Sequence, residues 1–170
     1  ILMRMLKDSN NLYAESMYFQ LAAATGSRPA TAKHAREAER VLLRKVGLNP
    51  ANYRLADGSG LSLYNYLSAE AEVKLLRYAY QNENIFHHLY QALPIAGVDG
   101  TLKKRMRSTF TRNNVRAKTG TLTGISSLAG YCKAANGHWL SFAIINQGVM
   151  HARNAKNFQN RVCTILCAPN

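Results

Sequence analysis

Apolar positions recur at helical spacing through the first hundred residues, and strand-like runs take over only after residue 115. Residues 1–7 read as the end of a helix. Asp8-Ser9-Asn10-Asn11 breaks it, because short polar side chains compete for backbone hydrogen bonds. A helical pattern resumes over 12–24 and stops at Thr25-Gly26-Ser27. Ser27 stands where an N-cap is needed for a helix over 28–46, with Ala35, Ala38, Leu42 and Val46 as its apolar face and Gly47 as its stop. Residues 53–56 suit a short extended segment, and Asp57-Gly58-Ser59-Gly60 a loop. Ser68 caps a helix over 69–81, with Glu70 and Glu72 at its positive end, and another helix follows over 83–92. Pro94, Gly97 and Gly100 then mark an irregular connection.

The last third changes character. Residues 115–119 suit a strand, and the apolar runs 128–134 and 139–146 flank Asn136-Gly137, a hairpin signal. Residues 154–167 are helical, with Phe158, Val162, Ile165 and Leu166 on one face. The expected fold class is α+β: about three antiparallel strands, covered by helices. Three strands are few for so large a helical complement, so the sheet is expected to be incomplete in this chain.

Composition narrows the classes. Of 170 residues 47% are apolar and 18% charged, the balance of a folded globular domain. No apolar run approaches the roughly 20 residues of a membrane span. Twenty-two basic residues against nine acidic give a net charge of +13, which favours anionic partners. The basic residues are dispersed apart from Lys103-Lys104-Arg105 and Arg107, and no nucleic-acid motif accompanies them, so no nucleic-acid partner is expected. Cys132, Cys163 and Cys167 match no metal pattern; they read as three buried thiols, or as one disulfide and a thiol in an oxidising compartment. The five histidines form no metal spacing either, and neither metal nor cofactor is expected. Asp57, Ser59 and Asp99 suggest a hydrolytic triad only superficially, because no histidine stands in relation to them; turn structure accounts for both loops.

Two short motifs carry chemistry. Ser9-Asn10-Asn11 sits in the break between helices, and Lys118-Thr119-Gly120-Thr121 lies on a strand. In this order they match the second and third motifs of penicillin-binding proteins and β-lactamases, Ser-x-Asn and Lys-Thr-Gly. The neighbouring segments are more specific. The 6–15 segment around Ser9, Leu55-Ala56-Asp57-Gly58-Ser59-Gly60-Leu61-Ser62, Leu93-Pro94-Ile95-Ala96-Gly97-Val98-Asp99-Gly100-Thr101-Leu102, and Ala117-Lys118-Thr119-Gly120-Thr121-Leu122 with Leu128-Ala129-Gly130-Tyr131 follow one another in order. Together they resemble the penicillin-binding D-alanyl-D-alanine carboxypeptidases that also have D-Ala-D-Ala endopeptidase activity, peptidase family S13.

The resemblance implies a β-lactamase/transpeptidase-like fold and acyl transfer through a serine ester. It implies that Lys118 and Ser9 are catalytic, Lys118 adding positive charge and Ser9 relaying a proton to the leaving nitrogen. It implies that Asn11, Thr119, Gly120 and Thr121 bind substrate: Asn11 at the acyl-side amide, the threonines at the terminal carboxylate, and the Thr121 N–H at the oxyanion. Peptidoglycan stem peptides and β-lactams are the implied ligands, and the periplasm or cell envelope the implied place. One departure stands out. No serine has a lysine three positions on, so the Ser-x-x-Lys nucleophile motif is missing, and Thr101-Leu102-Lys103-Lys104 falls in the wrong order. Residues 1–170 are therefore expected to be the C-terminal portion of one transpeptidase-like domain, whose N-terminal portion carries the nucleophile and further strands. The alternatives are a β-lactamase-like hydrolase and a non-catalytic peptidoglycan-binding module.

Overall fold

The computed structural model describes residues 1–169. Five helices come first: α1 (Leu2–Lys7), α2 (Asn11–Ala24), α3 (Ala32–Lys45), α4 (Ala69–Tyr80) and α5 (Glu83–Ala92). An antiparallel sheet of β1 (Arg116–Leu122), β2 (Ile125–Lys133) and β3 (Trp139–Gln147) follows, in the order β1-β2-β3, and α6 (Ala152–Cys167) closes the chain. The α+β architecture expected from the pattern is present.

The caps explain most helix boundaries. The Asn10 side chain accepts the Tyr13 N–H at 3.2 Å, and Ser68 accepts the Ala71 N–H at 3.1 Å. Gly47 has φ of 75° and ends α3, with the Leu48 N–H reaching back to the Leu43 carbonyl. Expectations for α3 and α6 need correction. α3 begins at Ala32, four residues later than expected, and its N-cap is Thr31 rather than Ser27. Pro29 keeps Arg28 out of the helical region, and the His34 side chain accepts the Thr31 backbone N–H at 3.3 Å. The buried face of α3 uses Ala35 and Leu43, while Leu42 is exposed. In α6 the buried face is Ala155, Gln159, Cys163 and Cys167; Phe158 and Ile165 point outward. Apolar count misled here because the inward face holds a polar residue and two small thiols.

The pleat of the sheet divides its side chains into two faces. On one, Ala117, Leu128, Cys132 and Phe142 pack with Cys163 and Cys167 of α6 and with Ala96, Leu102, Met106 and Val115 of the preceding connection. Gln159 is fully buried on this side, yet none of its polar atoms is wasted. Its amide nitrogen donates to Ser126 Oγ at 3.2 Å and to Asn146 Oδ1 at 3.0 Å, and its oxygen accepts from Arg105 at 2.9 Å. All three cysteines are buried free thiols. On the other face Tyr131 donates its hydroxyl to the Leu76 carbonyl at 2.6 Å. Trp139 sits 5.5 Å from Phe86 and 5.1 Å from Tyr90 between ring centroids. Each such aromatic pair adds about 0.5–1.5 kcal/mol beyond its area. The cluster docks α4 and α5 on the sheet and leaves the β1 end of that face open.

Candidate active site

Ser9 occupies the break between α1 and α2 with φ of 54°, a left-handed backbone that a serine adopts only under constraint. The turn aims its side chain across a cleft at β1. Lys118 lies on the open face of β1, beside Ala129 of β2. Its ammonium donates to Ser9 Oγ at 2.6 Å and to the Thr119 carbonyl at 2.7 Å. The two motifs, 109 residues apart in sequence, thus meet directly. Burial pushes the Lys118 pKa below its ordinary value. With little water around it, a positive charge on this nitrogen acts strongly on neighbouring oxygens.

Asn11 is exposed at the first turn of α2 and faces the same cleft. Thr119 and Thr121 project to the opposite face of the sheet from Lys118 by the alternation of the strand. Thr119 donates its hydroxyl to Thr101 Oγ1 at 2.9 Å. Both threonines line the cleft. The Ala117 N–H donates outward to the Pro94 carbonyl at 3.1 Å, so by alternation the N–H groups of Thr119 and Thr121 leave the same outer edge. Among the described residues that edge has no strand partner beyond the bridge at Ile95 and Arg116. Gly120 leaves the strand surface low beside Ser127; a Cβ there would overlap Ser127 Oγ. All six residues singled out from the sequence line one cavity of about 630 Å³.

The opposite wall is the loop at 55–62. Its Asp57 carboxylate knits it together, accepting the N–H groups of Gly60 and Ser62 at 2.7 Å each and the Asn65 amide at 2.9 Å. Burial pushes the Asp57 carboxyl up, but these hydrogen bonds outweigh it and hold the group below its ordinary value. Gly58 presses the loop on α2, since a Cβ there would meet Tyr18 Cβ at 2.5 Å and the Ala14 carbonyl oxygen at 2.6 Å. Neither Asp57 nor Ser59 belongs to a triad; both hold the loop.

Two lining residues were not legible in the sequence. Glu39 of α3 and Glu72 of α4 reach the cavity, and burial raises each carboxyl to about 7. Their Oε2 atoms are buried without a partner. Charged residues on amphipathic helices read as solvated, and nothing in the pattern distinguishes these two.

Comparison with known proteins follows the same line. The model of the "D-Ala-D-Ala carboxypeptidase 3 (S13) family" matches residues 1–168. The D-alanyl-D-alanine carboxypeptidase DacB of Haemophilus influenzae is 38% identical over 144 residues, covering 84% of this chain and 30% of its own length. The D-alanyl-D-alanine carboxypeptidase of Actinomadura sp. strain R39 is 38% identical over 157 residues, covering 87% and 28%. The crystal structure of penicillin binding protein 4 of H. influenzae, complexed with a β-lactam, superposes with a TM-score of 0.89 at 32% identity, over 99% of this chain and 41% of that one. The chain spans about a third of the length of the curated relatives it matches.

Proposed function

The chain belongs to the D-Ala-D-Ala carboxypeptidase (S13) family, and on that premise we propose that it supplies the Ser-x-Asn and Lys-Thr-Gly walls of a serine-type D-Ala-D-Ala carboxypeptidase and endopeptidase. The enzyme acts on peptidoglycan stem peptides at the cell envelope and is acylated by β-lactams. The observation that carries this is the hydrogen bond from Lys118 to Ser9, which closes the two motifs on one cleft. Lys118, Ser9 and Asn11 present charge, a hydroxyl and an amide to that cleft, and the outer edge of β1 presents N–H groups to an oxyanion and a carboxylate.

The nucleophile and its lysine base come from the N-terminal portion of the same domain. Three features support a further portion packed against this one. The cavity is wide and lined by unpartnered carboxylates. The outer edge of β3 has no strand partner among the described residues. The outward face of α6 carries Phe158 and Ile165, 53% and 72% exposed. In the reaction the serine oxygen adds to the penultimate carbonyl, the C–N bond breaks, and the proton of the serine hydroxyl ends on the leaving D-alanine nitrogen. Water then hydrolyses the ester.

The test uses fluorescent penicillin. The protein extended upstream to include its Ser-x-x-Lys serine forms a covalent adduct, and Lys118→Ala lowers its acylation rate by a factor of about 100 or more. The 170-residue chain alone forms none. An adduct on the isolated chain would overturn the division of labour, and undiminished acylation of Lys118→Ala would overturn the role of the cleft.

A further inference from the structure

The 93–102 segment contributes nothing to the cleft directly, yet it touches both of the cleft's catalytic walls. Its first half runs along β1: the Ala96 N–H donates to Val115 at 2.9 Å and the Ala117 N–H to Pro94 at 3.1 Å. Its second half meets the other side of the same strand end, where Thr101 accepts the Thr119 hydroxyl at 2.9 Å. Between them the segment turns on Asp99 and presses against α1. One Asp99 carboxylate oxygen accepts the Ile95 N–H at 2.8 Å and so closes the turn on itself. The other accepts the Lys7 ammonium, which also donates to the Leu93 carbonyl at 3.1 Å. The Lys7 side chain is 15% exposed and that of Asp99 35%, so this ion pair is partly shielded from water. Gly100 lets the backbones meet: φ is 53°, and a Cβ would stand 2.7 Å from the Lys7 carbonyl oxygen.

Lys7 stands two residues before Ser9. Ser9 needs a left-handed backbone to aim its hydroxyl at Lys118, and such a conformation persists only where the surroundings determine it. The end of α1 offers little help by itself. The helix is six residues long and has no buried residue, and apart from Lys7 its one side-chain ion pair among the described residues is the exposed one from Arg4 to Asp8. We propose that the Lys7–Asp99 ion pair is a positioning brace, which fixes the Ser9 turn to the same segment that holds β1 and so sets the Ser9–Lys118 distance. The brace rests on the function proposed above, because it acts through the proton that Ser9 passes on. In that step the C–N bond breaks as Ser9 gives its proton to nitrogen and recovers one originating from the nucleophile's hydroxyl.

Leaving-group chemistry separates this from plain destabilisation. A thioester expels thiolate without needing a proton, while an amide needs one. The test measures turnover of an acyl-D-Ala-D-Ala peptide and of the matching thioester by the full-length protein. Asp99→Asn keeps an oxygen for the Ile95 N–H and removes the charge; Lys7→Met removes the other partner. Each is expected to lower the amide-to-thioester rate ratio at least tenfold, as Ser9→Ala does, with Lys7→Arg restoring most of it. Equal losses on both substrates, or an unchanged ratio in folded Lys7→Met, overturn the brace. An unchanged ratio in Ser9→Ala overturns the role of Ser9 itself, and the brace with it. Thermal melts identify any variant that fails to fold; if Asp99→Asn fails, Lys7→Met and Lys7→Arg decide.

Discussion

At the scale of single residues the cavity's carboxyls stand out. Burial raises Glu39 and Glu72 from an ordinary 4.5 to about 7. Between those values the folded chain holds protons that the unfolded chain has released. The stabilisation is therefore complete below pH 4.5 and is lost as the pH rises through 7. Glu72 contributes at most about 3 kcal/mol to that change, and Glu39, which is more open to screening by solvent, contributes less. Urea unfolding of the 170-residue chain should show lower stability at pH 8 than at pH 5. Glu72→Gln should stabilise the chain at pH 8 and flatten the pH profile; a slope identical to that of the unmodified chain would rule this out. The sequence revealed the motif residues but not these acids. Ser9 and Lys118 were legible because their neighbours match a family pattern. A glutamate facing a cavity has the same local signature as one facing water. Lys7 and Asp99 show the same limit, since an ion pair spanning 92 positions leaves no trace in local spacing.

At the scale of elements, caps and glycines were read well except at α3, where Thr31 rather than Ser27 is the cap, and helix faces were read less well. Ser68, Gly47 and the break at Asp8–Asn11 act through local hydrogen bonds, which depend on neighbours in sequence. Which side of α6 turns inward depends on the sheet beneath it. There Gln159 replaces an apolar residue because Ser126, Asn146 and Arg105 complete its hydrogen bonds. Gln159→Ala should cost roughly 2–4 kcal/mol, from the cavity and from three stranded polar groups, measured by chemical denaturation. A loss under about 0.5 kcal/mol would mean that water replaces the amide without penalty. The loop opposite the Lys-Thr-Gly strand makes a second test. Gly58→Ala forces a methyl against the α2 backbone, so it should cost roughly 1–3 kcal/mol. In the full-length protein it should also slow acylation, because Asp57 and Ser59 move with it.

At the scale of the molecule, the strand count drawn from the pattern is the one observed, and the thinness of the sheet is real. Among the described residues, the outer edge of β3, a strand of nine residues, has no strand partner. An open edge of that length invites pairing with another chain. The 170-residue chain should associate as its concentration rises, and a longer protein that supplies the preceding residues should not. Analytical ultracentrifugation of both reads this directly, and a strictly monomeric short chain would argue that β3 is protected in another way. The aromatic cluster at the start of β3 has a practical use beyond packing. Trp139 is the chain's one tryptophan, and its indole is shared between the hairpin and α5. Its fluorescence therefore senses a single event, the parting of the helical half from the sheet, while far-ultraviolet circular dichroism follows the helices themselves. If the two signals separate during unfolding, the chain comes apart at this seam before its helices melt. Nature has placed the optical probe where an engineer studying that seam would have put one.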